Sequence, residues 1–317
     1  MAEVKQGKVI KSTGKWYTVL LLDGKLINAR IRGKIRLEGL RSTNPVAVGD
    51  EVNIQMEESN ETGVIQDIAP RKNYIVRKSI NLSKKTHIIA ANVDRAYLLV
   101  TLALPETHLA FVDRFLVSAE SFRIPVTLLF NKMDVYFEEH LPIIDDIISI
   151  YEDIGYPCHK ISALHKENID FLKSEIKDKQ VVIAGHSGTG KSTLVNALDT
   201  NLNLKTASIS KRHLQGQHTT TFAEMHQLES GGFIIDTPGI KAFGVIDLEK
   251  EVISHYFPEM RAKIGECRFH NCLHLNEPDC AVKSALKNNE IAPSRYQTYV
   301  SLMNEDQNES FRKDIYG

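Results

Sequence analysis

The feature that most limits what this 317-residue chain can fold into is a glycine-rich loop that begins past its midpoint, Gly185-His186-Ser187-Gly188-Thr189-Gly190-Lys191-Ser192-Thr193. The apolar run Val181-Val182-Ile183-Ala184 precedes it and helix-compatible residues follow to Leu198, so the loop joins a buried strand to a helix. A strand that turns through glycines into a helix is the phosphate-binding corner of an α/β domain. The glycines let backbone N–H groups close on phosphate oxygens, and the helix presents its positive end. Lys191 then reaches the terminal phosphates, and Ser192 offers a hydroxyl to Mg²⁺.

The other parts of a guanine-nucleotide site are present in an inverted order. Asn131-Lys132-Met133-Asp134 lies upstream of the loop, after the apolar run Pro125-Val126-Thr127-Leu128-Leu129-Phe130, at the strand end where open α/β sheets bind ligands. A carboxylate only accepts hydrogen bonds, so Asp134 can take both N–H donors on guanine's Watson–Crick edge, whereas adenine would meet it with an acceptor. Ile161-Ser162-Ala163 has the form of the backbone element that GTPases set against guanine O6. Downstream, Asp236-Thr237-Pro238-Gly239 ends the strand pattern Gly232-Phe233-Ile234-Ile235. It brings a Mg²⁺-associated carboxylate, Asp236, and a γ-phosphate-sensing glycine, Gly239. Between the phosphate loop and Asp236, Gln217-His218-Thr219-Thr220-Thr221 offers Thr220 as the second hydroxyl for Mg²⁺. In the usual order the phosphate loop opens the domain and Asn-Lys-x-Asp sits near its end, so this chain reads as a circularly permuted GTPase domain.

Ile240 follows Gly239, where Ras-like enzymes carry the glutamine that orients the attacking water. Isoleucine cannot hold water. His218, beside the switch threonines, is the nearest polar group for that role, which makes His218 and Lys191 the catalytic candidates.

Three of the four cysteines fall within fourteen residues, at Cys267, Cys272 and Cys280. Three thiolates and an imidazole suit tetrahedral Zn²⁺, and four protein ligands make such a site structural. His270 or His274 completes the set; His274, two residues beyond Cys272, closes the more compact chelate. Cys158 stands apart and reads as a small buried residue.

With 42% apolar and 25% charged residues the chain is long enough for two or three domains. No segment approaches a membrane span, and the first residues have no apolar targeting core, so a cytoplasmic protein with no membrane partner is expected, as a monomer. The net charge of −1 hides a segregation: residues 1–50 carry ten Lys and Arg against four acids, and residues 71–85 add six with no acid. Such a surplus is either a face for phosphate or a set of solvated strand edges. The first seventy residues alternate β-type runs (7–10, 16–22, 26–31, 51–55) with turns at Asp23-Gly24 and Gly49-Asp50, as a small OB-fold barrel would. In such a barrel Lys15-Trp16-Tyr17 is placed to stack on bases, though Trp16 is equally at home in a core. Helical periodicity runs over 109–122 and 141–154, and further helices are expected over 248–256 and around Tyr296, Tyr299 and Leu302.

The chain resembles the RsgA/YjeQ family of small-ribosomal-subunit-dependent GTPases over nearly its whole length. The matching residues are Ala90-Ala91-Asn92-Val93-Asp94, 131–134, 185–193, His218-Thr219-Thr220-Thr221, 236–239 and the spacing of Cys267, Cys272, His274 and Cys280. Thr189 and Gln217 depart from the pattern without removing a group that has a role. The resemblance implies a multidomain protein: an N-terminal OB-fold barrel over 1–70, a basic linker over 71–85, a permuted P-loop GTPase domain over 86–245, and a mostly helical zinc-binding domain over 246–317. It implies GTP or GDP with Mg²⁺, one structural Zn²⁺ held by His274 rather than His270, and a late assembly factor. That factor docks on the small ribosomal subunit, contacts its rRNA, hydrolyses GTP when stimulated and leaves. A nucleotide-gated RNA-binding protein with little catalysis, and a signalling GTPase with a protein partner, are the alternatives.

Overall fold

The computed structural model describes residues 3–31, 45–57, 62–78, 86–202, 223–236 and 248–305, with 76–78, 86, 87 and 236 described in their backbone alone. The N-terminal strands β1 (Val4–Ser12), β2 (Tyr17–Leu21), β3 (Leu26–Ile31), β4 (Glu51–Met56) and β5 (Thr62–Ile68) form a barrel. Their order is β1-β2-β3-β5-β4, closed by pairing of β4 with β1, and only β3 and β5 run parallel. Alternate residues point inward, as a half-buried sheet requires: Tyr17, Val19 and Leu21 from β2, Val52 and Ile54 from β4. The fifth strand lies outside the β-type runs of the sequence because Gly63 interrupts its pattern. A Cβ there would lie 2.3 Å from Ile54 Cγ2, so the glycine permits the strands to approach.

The segment expected as a linker contains a strand. β6 (Tyr74–Lys78) pairs antiparallel with β7 (Thr86–Ala91). Nor is its charge all available to a partner. Arg71 donates to both carboxylate oxygens of Asp50 at 2.6 Å and to Pro45 O at 2.7 Å, with the two side chains 7% and 0% exposed. Lys72 pairs with Asp94, and Lys8 lies over the Phe233 ring. Ala90-Ala91-Asn92-Val93-Asp94 fuses the barrel to the central domain. Ala91 N donates to Val48 O, and the Asn92 carboxamide donates to Gly49 O (3.0 Å) while accepting from Lys72 N (3.0 Å).

The central sheet has β8 (Arg95–Val100), β9 (Val126–Phe130), β10 (Cys158–Lys160), β11 (Gln180–Ala184), β12 (Glu224–Gln227) and β13 (Phe233–Asp236). They lie in the order β10-β9-β8-β11-β13-β12, all parallel except β12. Helices α1 (Leu109–Ser121) and α2 (Leu141–Glu152) cover one face, packing on Ala96, Leu98 and Val100. Helices α3 (Ile169–Ile176) and α4 (Lys191–Leu198) cover the other, on Tyr97 and Leu99. Burial on both faces explains why these strands read as unbroken apolar runs. From β8 the chain moves outward to β9 on one side, and from β11 to β13 on the other, so the order reverses between β8 and β11. Ligands bind at the carboxyl edge of such a reversal.

The C-terminal unit consists of α5 (Lys250–Ile253), α6 (Pro258–Arg261), α7 (Ala281–Lys287) and α8 (Pro293–Asn304). The helix expected over 248–256 is shorter, giving way to a 3₁₀ turn at Ser254–Tyr256 ahead of Pro258. Its core, Ile253, Phe257, Met260, Val282, Tyr299 and Leu302, includes Val117 of α1, so the unit is seated on the first helix of the central domain. Among the described residues no helix is long and apolar enough to cross a membrane.

Candidate nucleotide and metal sites

The loops that follow β8, β9, β10 and β11 meet at the carboxyl edge of the sheet. In the loop after β11, Gly185, Gly188 and Gly190 hold φ of +142°, +87° and +100°. A Cβ on Gly190 would stand 2.4 Å from Asn131 Nδ2, and one on Gly188 would stand 3.0 Å from Pro105 Cδ, so these two positions leave no room for a side chain. Ser187 and Gly188 are exposed at its tip, while Thr189 is fully buried with its hydroxyl on His186 O (3.0 Å). Lys191 opens α4 and its ammonium rests on Gly185 O and His186 O, both at 2.6 Å, which keeps it at the loop's mouth. Ser192 and Thr193 follow in the first turn of α4, half-buried.

Asn131 ties three of these loops together. Its carboxamide donates to Thr189 O (2.8 Å) and accepts from Ala163 N (3.0 Å), and its side chain is buried. Lys132 adopts a left-handed conformation (φ +69°) and donates to Leu104 O. Burial lowers its pKa, and the nearby Asp134 carboxylate acts against that shift. Met133 N reaches Ile161 O at 3.2 Å. Ser162 Oγ donates to Asp134 and accepts from His165 N, so the Ser162-Ala163 loop orients the carboxylate expected to read the base. The structure thus brings together 131–134, Ser162, Ala163 and 185–193. Asp236 ends β13, one residue beyond Ile235, which pairs with Val182 of β11. His218, Thr220, Gly239 and Ile240 lie outside the described residues.

Sequence reasoning missed the loop after β8. Thr107 Oγ1 lies 2.8 Å from His186 Nε2, and the Phe111 ring meets the imidazole edge-on at a centroid distance of 5.9 Å. Thr107 also accepts from Thr101 N (3.1 Å), and Tyr136 OH accepts from Leu102 N (2.8 Å). Burial lowers the His186 pKa; the Ser187 carbonyl opposes this, and Lys191, His108 and Lys132 add to it. The only available signal was a pair of threonines just beyond a buried strand.

The second cluster is Cys267, Cys272, His274 and Cys280, whose ligand atoms all lie within 4.8 Å of one another. His274 Nδ1 is 3.6 Å from Cys267 Sγ and 3.4 Å from Cys280 Sγ. Ligands about 2.3 Å from a central ion form a tetrahedron with edges of about 3.8 Å, so the donors stand close to what a metal requires. His270 is exposed and lies outside the cluster, whereas His274 is buried within it. The supporting contacts come from α8 and from Glu277. Tyr296 OH donates to His274 O and Tyr299 OH to Leu273 O, each at 2.6 Å. Glu277 accepts from the N–H groups of Leu273, Leu275 and Asn276. Burial and the neighbouring sulfurs push the Cys272 thiol up to about 12, although the His274 N–H favours its thiolate. Three such thiolates share this space only with a cation among them, so the donor set fits a resident metal.

Comparison with known proteins agrees with this architecture. The family model described as RsgA GTPase matches residues 68–246, and the RsgA N-terminal domain model matches residues 6–65. A relative from Christiangramia forsetii, named small ribosomal subunit biogenesis GTPase RsgA, is 53% identical over 313 residues, covering 98% of this chain and 99% of its own. One of the same name from Bacteroides fragilis is 50% identical over 307 residues, 97% and 99% of the two chains. Among solved structures, YjeQ from Thermotoga maritima superposes with a TM-score of 0.76 at 35% identity over 95% of this chain and 98% of that one. YloQ, described as a circularly permuted GTPase, gives 0.72 at 31% identity over 95% and 94%. These proteins share sequence and overall fold with it over nearly its whole length, and the chain belongs to the RsgA GTPase family.

Proposed function

We propose that this GTPase acts on the small ribosomal subunit as a late assembly factor, binding its rRNA and departing once GTP is hydrolysed. The observation that carries the reading is the convergence of Asn131, Asp134, Ser162, Ala163 and the loop 185–193 at the point where the strand order reverses. The name its relatives carry, small ribosomal subunit biogenesis GTPase, supports the choice of partner and favours neither alternative reading. In this proposal Asp134, oriented by Ser162, reads guanine, and the Ala163 backbone lies against O6. The N–H groups of residues 185–190 and the first turn of α4 hold the phosphates, and Lys191 leaves its carbonyl partners for the terminal phosphates. Mg²⁺ would be held by Ser192, Thr220 and Asp236, and when bound it neutralises charge on the β- and γ-oxygens. Gly239 senses the γ-phosphate, and His218 positions the water that Ile240 cannot.

Cys267, Cys272, His274 and Cys280 would hold Zn²⁺ as a closed structural site. The units are proposed as the barrel 1–70, the connecting segment 71–85, the GTPase domain 86–245 and the metal-binding unit 246–317, acting in the cytoplasm as a monomer. Co-sedimentation with isolated small and large subunits tests the partner. Retention on small subunits with a non-hydrolysable GTP analogue and release with GDP is expected; equal retention on both subunits overturns it.

A further inference from the structure

Three glycines at positive φ leave the loop 185–190 little preference of its own for one shape. Side chains hold it instead: Thr189 and Lys191 bond its carbonyls from within residues 185–191, and two others anchor it to neighbouring loops. Asn131 fixes the far end at Thr189 O. At the near end the His186 ring turns inward and is only 5% exposed, against Thr107 and Phe111 at the start of α1.

The hydrogens of this contact follow from its neighbours. His186 Nδ1 lies 3.1 Å from Ser187 O, and a carbonyl only accepts, so Nδ1 carries the proton and Nε2 of the neutral ring is an acceptor. The Thr101 hydroxyl gives its proton to Pro105 O at 2.6 Å. The Thr101 N–H occupies one lone pair of Thr107 Oγ1, and the Thr107 proton is left to donate to His186 Nε2. Every group in the contact is then satisfied without a charge on the ring.

We propose that His186 is a positioning residue: keyed to Thr107 and Phe111, its ring preforms the phosphate loop for the diphosphate of a guanine nucleotide without itself touching the phosphates. This rests on the reading of residues 185–193 as the phosphate site. A loop released from the contact must be ordered by the ligand, and that ordering weakens binding. The effect falls on ligands that carry phosphates and spares the base.

Thr107→Val removes the hydroxyl at nearly constant volume, and Thr107→Ser restores it. Losing one such bond is expected to weaken GDP and GTP alike by about 3- to 10-fold. Guanosine, measured by displacement of a fluorescent GDP analogue, should compete as it does with the wild type. KM for GTP should rise with kcat unchanged, the pattern of an interaction made equally in ground and transition states. Thr107→Ser should recover the affinity. Lys191→Ala gives the scale for losing the phosphate site itself. GDP binding that survives Thr107→Val but not Lys191→Ala overturns the positioning role alone. So does a loss that includes guanosine or that serine fails to rescue, since both mark general damage to the fold. A wild-type chain that binds no GDP overturns instead the reading of the loop as a phosphate site.

Discussion

Replacing Arg295 by Met should loosen the C-terminal unit from α1. Arg295 is 1% exposed and is held between two carboxylates: its guanidinium donates to Asp113 Oδ1 (3.0 Å) and to both oxygens of Glu259 (2.8 and 3.1 Å). Burial opposes the arginine's charge, but Asp113 and Glu259 more than offset it, so the net shift of its pKa is upward and it is charged at every accessible pH. Methionine keeps much of the volume and leaves both carboxylates without their cation. Removing one partner of a buried pair costs about 3–5 kcal/mol. Asp113 keeps two other donors, the Tyr151 hydroxyl (3.0 Å) and the Thr298 hydroxyl (2.7 Å), which places the expected cost near the lower end, about 3 kcal/mol. Unfolding of a multidomain chain is not one transition, so the readout is local: hydrogen exchange of the α8 amides, expected to quicken about 150-fold. Adding Asp113→Asn should recover part of the loss, because the two positions share one interaction. An exchange rate that changes less than about 5-fold, or losses that simply add, would refute the assignment of Arg295 as the pin of this interface.

Three other outcomes are expected. Elemental analysis should find one zinc per chain, and chelation should unfold residues 267–280 and weaken α7 and α8 while GDP still binds, because ligation drives the folding of such small sites; absence of metal, or loss of GDP binding with an intact tail, contradicts this. Asp134→Asn should shift preference from guanine toward xanthine, since an amide can donate where the carboxylate only accepts, and unchanged discrimination among GTP, XTP and ATP removes Asp134 from base reading. His218→Ala should lower subunit-stimulated single-turnover hydrolysis by about 10- to 10⁴-fold with little change in GTP affinity, and a wild-type rate would leave the water to another group.

The elements that sequence made legible are those whose chemistry is local. Strand β11 and its loop announce themselves because a fully buried strand must be apolar throughout and a phosphate cradle must be glycine, as the 2.4 Å approach at Gly190 illustrates. Helix α2 was readable from Ile144, Ile148 and Tyr151 on one face. Strand β6 was not, because Arg77 and Lys78 give it the composition of a solvated linker while its pairing with β7 comes from a partner eight or more residues away. Arg71 failed for a related reason: a lone basic residue in a charge run carries no mark of the buried Asp50 that takes it. The Thr107–His186 contact spans seventy-nine positions, and no spacing rule connects threonine in one loop to histidine in another.

The permuted order sends the chain from residues 236–239, where γ-phosphate sensing by Gly239 is proposed, on to the C-terminal unit, which invites the view that a GTP-driven switch swings that unit through the join at 241–244. The packing argues against it. Leaving α1 would expose Val117, whose burial alone is worth about 1.5–3 kcal/mol, and would break the bonds of Arg295 and Thr298 to Asp113 together with those of Arg114 to Glu305 and Ser301. Coupling between ligand states of a protein typically supplies only about 1–3 kcal/mol. That is too little to undock the unit. Helix α1 begins beside His186 of the loop 185–190, and its next residues, Asp113, Arg114 and Val117, hold α8 and the rest of the C-terminal unit. The C-terminal unit is therefore expected to stay seated on α1 in both nucleotide states, and hydrogen exchange of the α8 amides that differs by more than about 5-fold between GDP and a non-hydrolysable GTP analogue would refute this.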